Sequence, residues 1–148
     1  MSPDPSRHRE RLVNAVSSAL AEDERVVAAL VFGSRASGGE CPASDVDVAV
    51  LVDEAPQGRQ RYELVRSILL SLSSRIAGER LDLVILNDAP PLLAFRVLRD
   101  GVLALCRDEV LLHRFKVRTY DLHADRAPVE ALFRRATRER APESAGRG

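Results

Sequence analysis

Cysteine is scarce in this 148-residue chain: Cys41 and Cys106 are the whole supply. Two thiols so far apart in sequence support neither a disulfide framework nor a zinc site, and both read as free. An excess of one charge is also missing, since Lys+Arg and Asp+Glu each total 22. That balance excludes bulk attraction to nucleic acid or membranes and leaves only local binding of a polyanion. Lysine is nearly absent, Lys116 being the single example, so positive charge is carried by arginine. No apolar run approaches a membrane span, and the polar start MSPDPSRHRERL lacks the apolar centre of a signal peptide. The expectation is a cytoplasmic protein with no membrane partner and no direct nucleic-acid partner.

What is present is ordinary for one globular domain: 45% hydrophobic, 30% charged, eight glycines and eight prolines. At this length about two-thirds of the unfolded surface can be buried, enough for one core without staples. The domain is expected over residues 5–138, with 109–138 as its helical last part and 139–148 as a disordered tail.

Asp4-Pro5 opens a helix whose apolar face, Leu12, Val13, Val16, Ala19 and Leu20, runs to about residue 21. VVAALVF at 26–32 and VDVAVLV at 46–52 are short, β-branched and continuously apolar, the mark of strands covered on both faces. A helix over 59–77 follows, with Gly78 at its end, then LDLVILN as a third strand at 81–87. Asn87 or Asp88 is expected to cap the next helix, Gly101 to stop it, and VLALC at 102–106 to form a fourth strand. A helix from Glu109 is expected to end before Pro128, which starts a short one through about Arg138. His8, His113 and His123 read as solvated, and Tyr62 and Tyr120 as half-buried packing residues. Arg134, Arg135, Arg138 and Arg140 read as a solvated face, with a partner or RNA contact as the alternative. Arg96 and Arg99 are placed to face a nucleotide or a partner.

One stretch does not fit a purely structural account. In GSRASGGECPASDVDVAV, residues 33–50, two aspartates bracket one valine at the mouth of a buried strand. Residues two apart on a strand share a face, so Asp45 and Asp47 point the same way. A helix joining 46–52 to 81–87 makes a right-handed βαβ unit with parallel strands, which brings Asp82 to the same edge. If 26–32 runs antiparallel to 46–52, its exit at Gly33-Ser34 arrives there too. The bland alternatives are a turn residue for Asp45 and an ion pair with Arg75 or Arg80 for Asp82.

Three like charges at a half-buried edge repel, at a cost of several kcal/mol if unrelieved. A divalent cation relieves it, and hard oxygen donors without histidine or cysteine favour Mg²⁺ completed by phosphate oxygens. Gly33 leaves room for a phosphate, Ser34 offers a hydroxyl and an N–H, and Arg35 adds local positive charge. This is the equipment of phosphoryl or nucleotidyl transfer, with Asp82 the candidate to help activate the attacking hydroxyl.

Gly33-Ser34, then Asp45-x-Asp47, then Asp82 on a later strand resembles the minimal nucleotidyltransferases of the DNA polymerase β superfamily. Residues 81–108 and the segment FKVRTYDLHADRAPVEALF are similar to those of MntA-type antitoxins, and the likeness runs from about residue 10 to 136. The resemblance implies a polymerase-β-like α/β fold, a mixed sheet with flanking helices. It implies an adenylyltransferase that uses ATP and Mg²⁺, as two ions, to place AMP on a tyrosine of a cognate HEPN-domain ribonuclease toxin. In it Asp45 and Asp47 hold metal, Asp82 completes the triad, and Gly33 and Ser34 hold the triphosphate. The acceptor pocket is expected to be completed by a second protein or a second copy of the chain. The rivals are transfer to a small hydroxyl compound or an RNA end, and an antitoxin that masks its partner without chemistry.

Overall fold

The computed structural model describes residues 4–33 and 45–140, with 126–133 and 136–140 by backbone alone. Ser34, Arg35, Cys41 and the tail from residue 141 therefore lie outside the described residues. Helix α1 (Pro5–Leu20) starts where Asp4 accepts a hydrogen bond from the Ser6 N–H at 3.0 Å, a side-chain cap on an otherwise orphaned amide. Its far end is closed from a distance: the Arg107 guanidinium donates to the carbonyls of Leu20, at 3.1 Å, and Ala21. Strands β1 (Val26–Phe32) and β2 (Val46–Val52) match the expected ranges, as does β4 (Val102–Cys106). Helix α2 (Gly58–Arg75) joins β2 to β3 (Leu81–Ile85), and α3 (Pro91–Asp100) joins β3 to β4.

The sheet order is β3-β2-β1-β4, with β2 and β3 parallel and β1 antiparallel to both its neighbours. Its two faces are covered by different helices. On one, Leu12, Val16 and Leu20 of α1 and Leu64, Ile68 and Leu72 of α2 pack against Val31, Val48 and Val50. On the other, Ala94, Val97 and Leu98 of α3 and Leu112 of α4 (Glu109–Arg140) pack against Ala28, Leu30, Ala49 and Leu51. Burial on both faces is why β1 and β2 are apolar without alternation. Removing the fully buried Ile68 side chain from such a core costs about 2–5 kcal/mol.

Several expectations are corrected. The third strand stops at Ile85, and Leu86–Asp88 form a 3₁₀ turn. Neither Asn87 nor Asp88 caps α3, which begins behind Pro90 with no side-chain cap. Instead Asn87 lies beside the end of β2: the Val52 N–H donates to its Oδ1 at 3.0 Å and its Nδ2 donates to the Val52 carbonyl at 2.8 Å. Asp88 pairs with Arg61 and ties α2 to the turn. Pro128 does not begin a new helix, because α4 runs through it to Arg140. It removes the bond that an amide there would make to the Ala124 carbonyl without ending the element. Tyr62 is exposed, and Tyr120 is partly so. His123 is not solvated: its ring stacks on Phe95 with centroids 3.7 Å apart, and its Nδ1 is buried with no hydrogen-bond partner among the described residues.

Candidate active site

β1 ends, and β2 and β3 begin, at one edge of the sheet. The ladder there is in register: Phe32 faces Asp47 across the antiparallel pair, and Asp47 faces Asp82 across the parallel pair. Neighbours in register project to the same side of a pleated sheet, so Asp47 and Asp82 are adjacent on one face. Asp45, two residues before Asp47, stands just ahead of β2. The start of the pair is pinned by the Val46 N–H, which donates to the Arg80 carbonyl at 2.7 Å.

Gly33 closes the edge from the β1 side. Its φ is +79°, a conformation L side chains rarely adopt. A Cβ built on it would overlap Asp47 Oδ2 and stand 3.0 Å from Asp47 Cγ. The space freed by the missing side chain is therefore occupied by the Asp47 carboxylate itself, a role not visible in the chain order.

Asp45 and Asp82 are exposed and Asp47 is half-buried. Burial raises the Asp47 carboxyl above its ordinary 3.8, and the neighbouring charges of Asp82 and then Asp45 push it the same way. Arg80 takes part through its backbone carbonyl, and among the described residues no ion pair neutralises Asp47 or Asp82. The interaction between these carboxylates is thus repulsive as well as close.

Among the described residues no three carboxylate, imidazole or thiolate groups are placed as a ready-made metal cage. The donors at the edge nevertheless suit Mg²⁺, which is commonly held by one or two carboxylates and completed by water and phosphate oxygens. A half-buried carboxylate with no counter-charge among the described residues, next to a second one in register, fits that demand. At the same edge, Arg99 is occupied by Asp100, with Nε–Oδ1 and Nη2–Oδ2 both 2.8 Å, and lies 5.5 Å above the Phe95 ring. That bond raises the Arg99 pKa and lowers that of Asp100. Arg96 is exposed.

The family described as polymerase beta, nucleotidyltransferase matches residues 14–110, which span β1, β2, β3 and Asp45, Asp47 and Asp82. The chain belongs to the polymerase beta nucleotidyltransferase family, whose domain supports a transferase activity. No curated protein matches it in sequence. In fold it is similar to a chain of a toxin-antitoxin crystal structure with AMP-PNP, at a TM-score of 0.65 and 23% identity, over 84% of this chain and 98% of that one. It is similar to a chain of the toxin-antitoxin MntA-HepT, at 0.60 and 21%, over 86% and 98%. A third likeness is to a chain of the structure of the tri-AMPylated Shewanella oneidensis HEPN toxin in complex with MNT antitoxin, at 0.57 and 18%, over 90% and 99%. The α/β architecture expected from the sequence is the one observed. Among the described residues no helix is long and apolar enough to cross a membrane.

Proposed function

We propose that this chain is an antitoxin that transfers AMP from ATP to a tyrosine hydroxyl of a HEPN-domain ribonuclease toxin and so silences it. The observation that carries the chemistry is the in-register pair Asp47 and Asp82, with Gly33 packed against Asp47. The choice of acceptor is supported by likeness of fold to chains of toxin-antitoxin structures, one with AMP-PNP and one with an AMPylated HEPN toxin.

In this reading Asp45 and Asp47 hold Mg²⁺ as two ions, with Asp82 completing the set, and Gly33, Ser34 and Arg35 hold the triphosphate. Bound Mg²⁺ supplies charge neutralisation at the α-phosphate and the leaving diphosphate. Asp82 is exposed where Asp47 is half-buried, which suits it to receive a proton from an incoming hydroxyl. The tyrosine oxygen forms a bond to the α-phosphorus, and the bond from that phosphorus to the bridging oxygen breaks. Diphosphate leaves with the electron pair, and the phenolic proton passes to the Asp82 carboxylate and on to solvent.

The test incubates the full chain with labelled ATP, Mg²⁺ and the HEPN-domain protein encoded beside its gene. A covalent AMP adduct on a tyrosine of that protein, with loss of its ribonuclease activity, is the expected result. Silencing by a tight complex with no adduct would replace transfer by masking. An adduct on a small hydroxyl compound alone would move the acceptor to that class.

A further inference from the structure

The aspartate edge has two sides. In the sheet order β3-β2-β1-β4, Gly33 closes the edge behind β1, Asp47 stands on β2, and Asp82 lies on β3, the outermost strand of that side. Neighbouring strands lie about 4.8 Å apart, so the β1 side and the β3 side are separated by roughly 10 Å. The proposed reaction uses both: the triphosphate is held at Gly33, and the incoming hydroxyl gives its proton to Asp82. The β3 side also carries a cation, Arg80, to which no role has been given beyond its backbone.

Arg80 stands one residue ahead of β3 and two before Asp82. Its backbone is fixed, because its carbonyl accepts from the Val46 N–H at 2.7 Å while Leu81 and Asp82 pair with Val46 and Asp47. Along an extended chain residues two apart share a face, which groups Arg80 with Asp82. Arg80 is exposed, and among the described residues it forms no ion pair. The charges that act on Asp47 are those of Asp82 and Asp45, so Arg80 is not consumed in neutralising it. Arg61 and Arg99, in contrast, are held by Asp88 and Asp100.

We infer that Arg80 contacts the acceptor, its guanidinium donating to the acceptor oxygen as that oxygen gives up its proton and bonds the α-phosphorus. This deepens the reading of the edge as a transfer site and rests on it. As the phenolic proton passes to Asp82 and diphosphate departs with the electron pair of its bond to phosphorus, negative charge passes through the acceptor oxygen. Next to carboxylates that charge is disfavoured, and a donor fixed where charge develops offsets it. Arginine stays protonated throughout, so it cannot compete with Asp82 for the proton. Asp82 takes the proton and Arg80 holds the oxygen. The triphosphate is the poorer partner for Arg80, because two strand spacings separate it from Gly33.

The experiment compares the unaltered full chain with Arg80→Gln and Arg80→Lys. Both variants keep the backbone carbonyl that Val46 uses, so their melting temperatures should match that of the unaltered chain. Calorimetry reads the Kd for ATP with Mg²⁺, and steady-state kinetics read AMP transfer to the HEPN-domain protein encoded beside the gene. Arg80→Gln is expected to lower kcat about a hundredfold, as loss of one donor to a developing oxyanion does, with the Kd for ATP unchanged. Arg80→Lys keeps the charge without the planar fork and should fall between the two. An unchanged kcat in Arg80→Gln overturns the assignment. Weakened ATP binding in that variant moves Arg80 to the triphosphate and also overturns it, as does a lowered melting temperature with equal loss of activity in both variants. If the unaltered chain transfers AMP only to a small hydroxyl compound, and Arg80→Gln slows that transfer as strongly, Arg80 keeps its role and the HEPN acceptor falls. An unaltered chain that transfers AMP to neither acceptor overturns both readings.

Discussion

Asp47 Oδ2 occupies the position that a side chain on Gly33 would need. The last residues of one strand and the first of its antiparallel neighbour are thereby packed through a carboxylate instead of a methyl group. Gly33→Ala should cost about 1–3 kcal/mol from the left-handed backbone alone, with a further loss from displacing Asp47. Thermal denaturation of Gly33→Ala, Asp47→Ala and the double variant separates the two terms. The overlap predicts that Gly33→Ala costs less when Asp47 is already truncated, and equal costs in both backgrounds would refute it.

Asp47→Asn removes one of the charges crowded at the edge while keeping the shape of the side chain. In metal-free buffer the variant should melt higher than the unaltered chain, because repulsion from Asp82 and Asp45 is relieved. It should also lose AMP transfer and most of its stabilisation by Mg²⁺ with ATP. A variant that transfers AMP at the normal rate would show that Asp47 holds no metal.

The same carboxyl sets a pH dependence. Its folded pKa lies above the ordinary 3.8, so between these two values the folded state holds a proton that the unfolded state has released. Stability of the metal-free protein should therefore fall as pH rises through that window and level off above it. Subtracting the Asp47→Asn profile from that of the unaltered chain isolates this contribution, and a difference that grows in the opposite direction would contradict the assigned burial and repulsion.

Asn87→Ala breaks both bonds to the Val52 backbone, leaving a part-buried N–H and carbonyl without partners. A loss of about 1–3 kcal/mol is expected in urea denaturation. Asn87→Asp keeps the acceptor for the Val52 N–H but loses the donor, so it should fall between the two. The site lies at the other edge, and acceptor KM should not move.

Pro128→Ala restores an amide that can reach the Ala124 carbonyl inside α4. Helix propensity favours alanine there by about 3 kcal/mol. Helical circular dichroism and amide protection around residues 124–132 should both increase. No change would mean that the helix does not run through this position in solution.

The places where sequence reading failed share a physical character. Pro128 stops helices by a local rule, yet α4 continues through it, and local propensity carries no information about such an override. Asn87 and Asp88 are good cap residues by the same kind of rule. Both were claimed by distant partners, Val52 and Arg61. The polar neighbours of His123 in the chain suggest a solvated ring, but Phe95, 28 positions earlier, covers it. Each miss is a competition between a local preference and a contact that exists only after folding.

The sequence by itself determined the strands and most of the helices, because apolar runs bounded by turns, and apolar stripes at helical spacing, are local consequences of burial. It also led to the expectation that Asp45 and Asp47 face one way, since strand side chains alternate, although Asp45 stands just ahead of the strand. The parallel register that sets Asp47 beside Asp82, and the contact of Asp47 with Gly33, were decided only by the tertiary structure. Those relationships join residues whose separation along the chain says nothing of their distance in space, and only closure of the sheet on its two cores brings them together.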